Sequence, residues 1–173
     1  MIAQQLAHDD PQLVRRLILL GTGPRGGEGM EFNDLAPEES VADPIAFLLA
    51  ALFTPSQASQ AAGRAHVARL GSRTQDLDLP VADVTSMAQV EALKEWGKVP
   101  ETGRYEMLKN IRQPTLIVHG NQDIVVQPIN GLILAQHLPN AQLMVYPDSS
   151  HAAHYQHADL FLKHVRIFLS EQC

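Results

Sequence analysis

The sequence contains one cysteine, Cys173, at the last of its 173 positions. A lone thiol supplies neither a disulfide framework nor a cysteine-based metal site, which suits a reducing compartment. Long apolar runs are also missing, since no stretch approaches the ~18 to 20 residues needed to cross a bilayer. The opening Met1-Ile2-Ala3-Gln4-Gln5 lacks the basic-then-apolar order of a secretion signal. Positive charge is scarce: 13 Lys and Arg stand against 19 Asp and Glu, a formal charge of −6. No basic cluster forms a stripe that could follow a phosphate backbone. These absences set the expectation of a soluble, cytoplasmic protein with no nucleic acid and no membrane as partner. The length suffices for one domain with a core of its own.

What is present alternates between two textures. Ile2 to His8 suits a short helix, ended by Asp9-Asp10-Pro11, and the run Leu17-Ile18-Leu19-Leu20 closed by Gly21 suits a buried parallel strand. Gly23 to Gly29 is a glycine-rich loop. From about Pro37 to Glu106 the text is alanine-rich and helical, divided by Pro44, Pro55, Pro80 and Pro100. Ile45, Leu48, Leu49 and Leu52 predict one apolar helix face there, and Met87, Val90 and Leu93 another. Strand text returns at Thr115 to His119, entered through Pro114 and closed by Gly120. A helix follows with Pro128 near its first turn and Ile129, Leu132 and Ile133 on one side, then a strand over Gln142 to Tyr146 that stops at Pro147. Leu160-Phe161, His164-Val165 and Phe168-Leu169 predict a last helix docked on a sheet. This is the grammar of a parallel α/β protein with a helical insertion after its first strand.

In a parallel sheet, loops leaving the carboxyl ends of the strands converge on one edge. Two such loops carry chemistry-bearing residues: His119-Gly120-Asn121-Gln122-Asp123 and Pro147-Asp148-Ser149-Ser150-His151. An acid in one and a histidine in the next, with a helix and a strand between them, resembles the closing section of the α/β-hydrolases. The N-terminal segment Met1 to Ala7 resembles the helix behind the nucleophile elbow of that family, and Val14 to Gly21 resembles the strand after it. The resemblance implies an α/β fold comprising the C-terminal portion of an α/β-hydrolase, with about three parallel strands and flanking helices. It divides the chain into core at 1–30, a helical cap insertion at 31–106 and core again at 107–173. No Gly-x-Ser-x-Gly occurs anywhere, so by this resemblance the chain is a truncated one that opens just after the elbow, with Met1 as an internal methionine. The nucleophile, the oxyanion-hole donors and the earlier strands would then lie upstream.

The resemblance also assigns roles. A serine hydroxyl needs a neutral imidazole to accept its proton, and His151 is the candidate base. The imidazolium that results needs a buried anion, and Asp123 is the candidate. Asp148 is a fallback acid better suited to shaping the turn. Ser150 stands where the family usually has glycine before the histidine, which points to altered loop geometry. Two further patterns invite other readings. Gly21-Thr22-Gly23-Pro24-Arg25-Gly26 matches the dinucleotide fingerprint, but Pro24 and the glycines at 26, 27 and 29 predict a loop where that motif needs a helix. His151, His154 and His157 recur every third residue, yet the first belongs to a loop, and His154 and His157 are expected to face solvent at the start of the last helix. No cofactor and no metal are expected.

The implied activity is hydrolysis of an ester or other acyl bond by a Ser-His-Asp mechanism in the complete protein, on a small, mostly apolar substrate. Two alternatives stay open. The chain by itself is an inactive fragment or a binding module, or the fold carries cofactor-free haloperoxidase-like, dehalogenase, epoxide hydrolase or lactonase chemistry. Truncation would leave an apolar sheet edge at Leu17 to Leu20, open to self-association or a complementing chain.

Overall fold

The computed structural model describes residues 1–31, 43–101 and 103–170. The predicted stretch around Pro37 and the single cysteine, Cys173, fall outside the described residues. Among those described, three strands form one parallel sheet in the order β1-β2-β3: β1 (Leu17–Leu20), β2 (Thr115–Gly120) and β3 (Ala141–Tyr146). Leu17 pairs with Thr115, and Thr115 in turn with Ala141, so the three strands enter the sheet level with one another. The central strand is buried at every position, as expected where both faces of a parallel sheet are covered.

Alternation of side chains divides the core in two. On one face Leu17, Leu19 and Ile117 pack with Ala7 of helix α1 (Ile2–Asp9) and with Leu134 of a later helix, α5 (Ile129–His137). On the other, Leu116, Val118 and Tyr146 meet Ala153 of α6 (Ala153–Gln156) and Phe168 of α7 (Ala158–Ser170), with Ile18, Leu20, Phe161 and Val165 at the margin. No helix among the described residues is long and apolar enough to cross a membrane.

Among the described residues three α-helices and a short 3-10 helix (Glu106–Asn110) fall between β1 and β2. Asp43 caps α2 (Pro44–Leu52) by accepting the Ala46 N–H at 2.9 Å, with Pro44 at the first helical position. Ser56 caps α3 (Gln57–Gly71) by accepting the Ser59 N–H at 3.1 Å. The third helix, α4 (Asp83–Gly97), buries only Trp96 and Gly97 at its C-terminal end. Its predicted apolar face is therefore not packed along its length: Met87 is 72 % exposed, and on α2 Ile45 is 55 % exposed. Helix α4 is held at one end rather than along a stripe, which periodicity cannot distinguish.

Helix α5 overturns a second face. Ile129 and Leu132 are exposed, while Asn130, Gly131 and Leu134 turn inward. The Asn130 amide takes the place of an apolar side chain because it bonds a neighbouring loop: it accepts the Glu28 N–H at 2.9 Å and donates to the Glu28 carbonyl at 2.8 Å. Buried polar groups are tolerated when partnered in this way. Chemical denaturation should thus rank the two faces. Ile117→Ala in β2 is expected to cost about 2 to 5 kcal/mol, and Leu132→Ala less than about 1 kcal/mol; the reverse order would return the apolar side of α5 to the sheet.

Candidate active site

The loops after β2 and β3 meet at the carboxyl edge of the sheet. Their backbones are tied directly, Asn121 N–H to the Tyr146 carbonyl and Gln122 N–H to the Ser149 carbonyl, both at 3.0 Å. Gly120 makes this approach possible. A Cβ placed there would collide with the carbonyl oxygens of Ser149 and Ser150, which are backbone atoms and cannot swing aside.

Within this junction the structure brings Asp123 and His151 together. His151 Nδ1 lies 2.9 Å from Asp123 Oδ2. The other carboxylate oxygen, Oδ1, accepts the N–H groups of Val125 and Val126, each at 2.9 Å. The acid is thus fixed by its own turn before it meets the ring. Its side chain is wholly buried, while 29 % of the His151 side chain remains exposed. A carboxylate offers only acceptors, so Nδ1 carries the ring hydrogen and Nε2 is left with the lone pair.

Gly21, at the end of β1, closes the third side. Its φ of +49° is a left-handed value that glycine adopts freely, and an added Cβ would sit 3.0 Å from both Cε1 and Nδ1 of His151. The chain from Gly21 to Met30 is a loop with turns, not the helix a dinucleotide fingerprint requires. The Gly23 carbonyl accepts from Gln4 Nε2 at 3.1 Å and Trp96 Nε1 at 3.2 Å, fastening this loop to α1 and α4.

The remaining candidates divide clearly. The Asp148 carboxylate does not join His151; it accepts the hydroxyls of Thr54 and Ser56, each at 2.6 Å. His154 and His157, expected to face solvent, are instead partly buried against aromatic neighbours. The His154 ring lies 4.1 Å from that of Tyr155 and 5.9 Å from that of Phe161, and His157 Nε2 lies 3.1 Å from the Pro147 carbonyl while its ring stacks on Tyr146. The apolar and aromatic neighbours of the short α6 draw both rings in. Among the described residues no group of three His, Cys, Asp or Glu could hold a metal ion.

His119 was not singled out by spacing, yet it is buried beside the pair. Its Nε2 lies 3.2 Å from the Val126 carbonyl and 3.7 Å from Asp123 Oδ2, while Nδ1 has no partner. Burial holds its pKa below the usual imidazole value, against the opposing pull of Asp123. The same cause, aided by His151 and His66, lowers that of His154. The signal that could have found His119 is its place one residue before the strand-closing glycine, where a buried strand leaves a ring no route to solvent.

A family model described as alpha/beta hydrolase fold matches residues 1–158. An alpha/beta hydrolase fold protein from Chitinophaga pinensis superposes with a TM-score of 0.90 at 31 % identity, covering 99 % of this chain and 62 % of that one. A 2-hydroxymuconate semialdehyde hydrolase of Pseudomonas putida is 36 % identical over 64 residues, 37 % of this chain and 23 % of that protein. A 2-hydroxy-6-oxononadienedioate/2-hydroxy-6-oxononatrienedioate hydrolase of a Pseudomonas species is 27 % identical over 97 % of this chain and 59 % of its own length. The chain therefore spans about three-fifths or less of the relatives it matches.

The two neutral rings give a pH dependence. With folded pKa values below the unfolded value of about 6.5, His119 and His154 contribute stability in full above pH 6.5, and lose it as pH falls through their folded values, because the unfolded chain binds the extra protons. Urea unfolding should show a plateau near pH 7 and a decline toward pH 5, with a slope set by the protons the unfolded chain takes up and the folded one does not. His119→Gln, which keeps a donor for Val126, should reduce that slope. A flat profile from pH 7 to 5 would contradict the lowered values of His119 and His154.

Proposed function

Since the chain belongs to the alpha/beta hydrolase family, we propose that it carries the acid and the base of a serine-type hydrolase that cleaves ester or related acyl bonds. The observation that supports this reading is the 2.9 Å contact between a partly exposed imidazole and a buried carboxylate whose second oxygen is held by two backbone N–H groups. Asp123 fixes the tautomer of His151 and stabilises the imidazolium. His151 Nε2 takes the proton of the attacking hydroxyl and later returns it to the leaving group. The 173 residues contain no Gly-x-Ser-x-Gly, so the reading assigns the nucleophile and oxyanion donors to a segment outside them. Without those donors an acid and a base have no reacting centre to serve. The helices α2, α3 and α4 act as the cap over a small, mostly apolar substrate. The β1 edge is the surface where a further strand, or a second copy, would pair.

The two curated relatives favour a second acyl-type substrate. They are named for a muconate semialdehyde and for 2-hydroxy-6-oxo dienedioic acids. Hydrolysis at the ketone of such an acid breaks a carbon–carbon bond: a hydroxyl adds to the carbonyl, His151 takes its proton, and the departing carbon, rather than an alkoxide oxygen, receives a proton in return.

The test has two arms. Purified 1–173 is expected to show no turnover of an activated short-chain ester. The polypeptide extended through the upstream reading frame is expected to contain the elbow and to turn over either an ester or an oxo-dienoic acid, with kcat falling roughly 10⁴-fold in Asp123→Ala and at least as far in His151→Ala. Turnover by 1–173 that resists a serine-directed phosphonate but disappears in His151→Ala would overturn the assignment.

A further inference from the structure

The loop that carries His151 is bound on both sides of the ring to the corner between α2 and α3. The Asp148 carboxylate takes the Thr54 hydroxyl on Oδ1 and the Ser56 hydroxyl on Oδ2. Ser150 Oγ donates to the carbonyl of Ala51 at 2.8 Å, and the Ala152 N–H donates to that of Leu52 at 3.0 Å. Gln156 closes the circuit: its Nε2 donates to the Asp148 carbonyl at 2.6 Å, and its Oε1 accepts from Ser59 Oγ at 2.7 Å. Positions 148, 150 and 152 thus each hold the corner, while 151 alone turns to Asp123.

These bonds cost the chain something to set up. Asp148 sits at φ +46°, a left-handed backbone value uncommon outside glycine, though aspartate tolerates it better than most residues. Thr54 is 3 % exposed and Ser59 fully buried, so their hydroxyls have lost water and depend on these partners. Hydrogen bonds from Ser56, then Thr54, hold the Asp148 carboxyl below the usual carboxylate range.

We propose that Asp148, Thr54 and Ser56 form a positioning clamp, which anchors the His151 loop to the α2–α3 corner and so holds the ring in register with Asp123. This rests on the pairing of Asp123 with His151 put forward above. The clamp couples the helices over the site to the base: a substrate that shifts the α2–α3 corner moves the loop that orients the imidazole. Asp148 and its partners act through His151 and touch no reacting atom.

The test uses chain 1–173 labelled with ¹⁵N in its histidine rings, which needs neither nucleophile nor substrate. The readouts are the His151 ring nitrogen shifts, which report the tautomer, and the solvent exchange rate of the Nδ1 hydrogen. Thr54→Val removes the hydroxyl at constant shape, Thr54→Ser restores it, and Asp148→Gly removes the carboxylate while relieving the left-handed backbone. Amide shifts in β2 and α7 monitor the fold of each variant.

Thr54→Val and Asp148→Gly are expected to speed Nδ1 hydrogen exchange by about tenfold or more, the factor that losing a charge-assisted bond gives to opening of the loop. Thr54→Ser is expected to stay within about twofold of the parent, a margin of roughly 0.4 kcal/mol. Asp123→Asn is expected to change the ring nitrogen shifts. If Asp123→Asn changes them but Thr54→Val and Asp148→Gly leave exchange as it was, the clamp is refuted and the pair stands. Acceleration by Thr54→Ser equal to that by Thr54→Val also refutes it, since the hydroxyl would not be the cause. Unchanged nitrogen shifts in Asp123→Asn refute the pair itself, and the clamp with it.

Discussion

Everything at the candidate site depends on how closely two neighbouring strand ends can approach. Parallel pairing sets Gly120 opposite Tyr146, and from there the two chains must part into loops without losing contact. The absence of a side chain at Gly120 lets the carbonyls of Ser149 and Ser150 lie against its backbone. The N–H groups of Asn121 and Gln122 then bind the second loop directly. A loop fixed by main-chain bonds on the acid side delivers His151 to within 2.9 Å of a carboxylate that could not itself move to meet it. Positions are set by the backbone, and the side chains inherit them.

The difference in burial between the two partners follows from what each must do. Asp123 spends both oxygens inside the protein, one on the turn and one on the ring, so water has nothing to offer it and its orientation is fixed. The histidine ring needs one nitrogen held and the other free. Partial exposure supplies that freedom, and Gly21 limits it, since the ring rests against the end of β1 where any larger residue would press on it. His119 has the opposite arrangement, one nitrogen on a carbonyl and the other unpartnered in the core, and burial holds its pKa below the usual imidazole value against the pull of Asp123 and of that carbonyl.

The parts legible in the sequence were those fixed by short-range rules. The three strands were marked by apolar runs ending in glycine or proline, and the meeting of residues 123 and 151 follows from parallel topology once those strands are placed. Helix faces were less legible. The apolar stripe of α5 pointed the wrong way because Asn130, a polar residue, is drawn inward by the backbone of Glu28 more than one hundred positions away. Met87 on α4 was assigned to a packed face, but that helix docks through Trp96 at its end. His154 and His157 were placed in solvent because nothing local reveals that Tyr155, Phe161 and Tyr146 gather around them. For α5 and α4 the deciding contact is distant in sequence, Asn130 with Glu28 and Trp96 with Gly23, whereas around His154 and His157 it lies within about a dozen residues but across turns that helical periodicity does not describe.

Ser150 shows how a local departure and a long-range contact become one fact. In the resembling family glycine precedes the histidine, and its replacement raised the question of altered loop geometry. The loop here has become a docking surface: the hydroxyl of Ser150 holds the end of α2 through the Ala51 carbonyl, next to the bonds from Asp148 and Ala152. Glycine at 150 could supply a flexible turn, but it could not make that bond. The residue that weakens the motif as a pattern therefore strengthens the tie between the His151 loop and the end of α2. A loop built this way gives up freedom around His151 for a fixed relation to the α2–α3 corner.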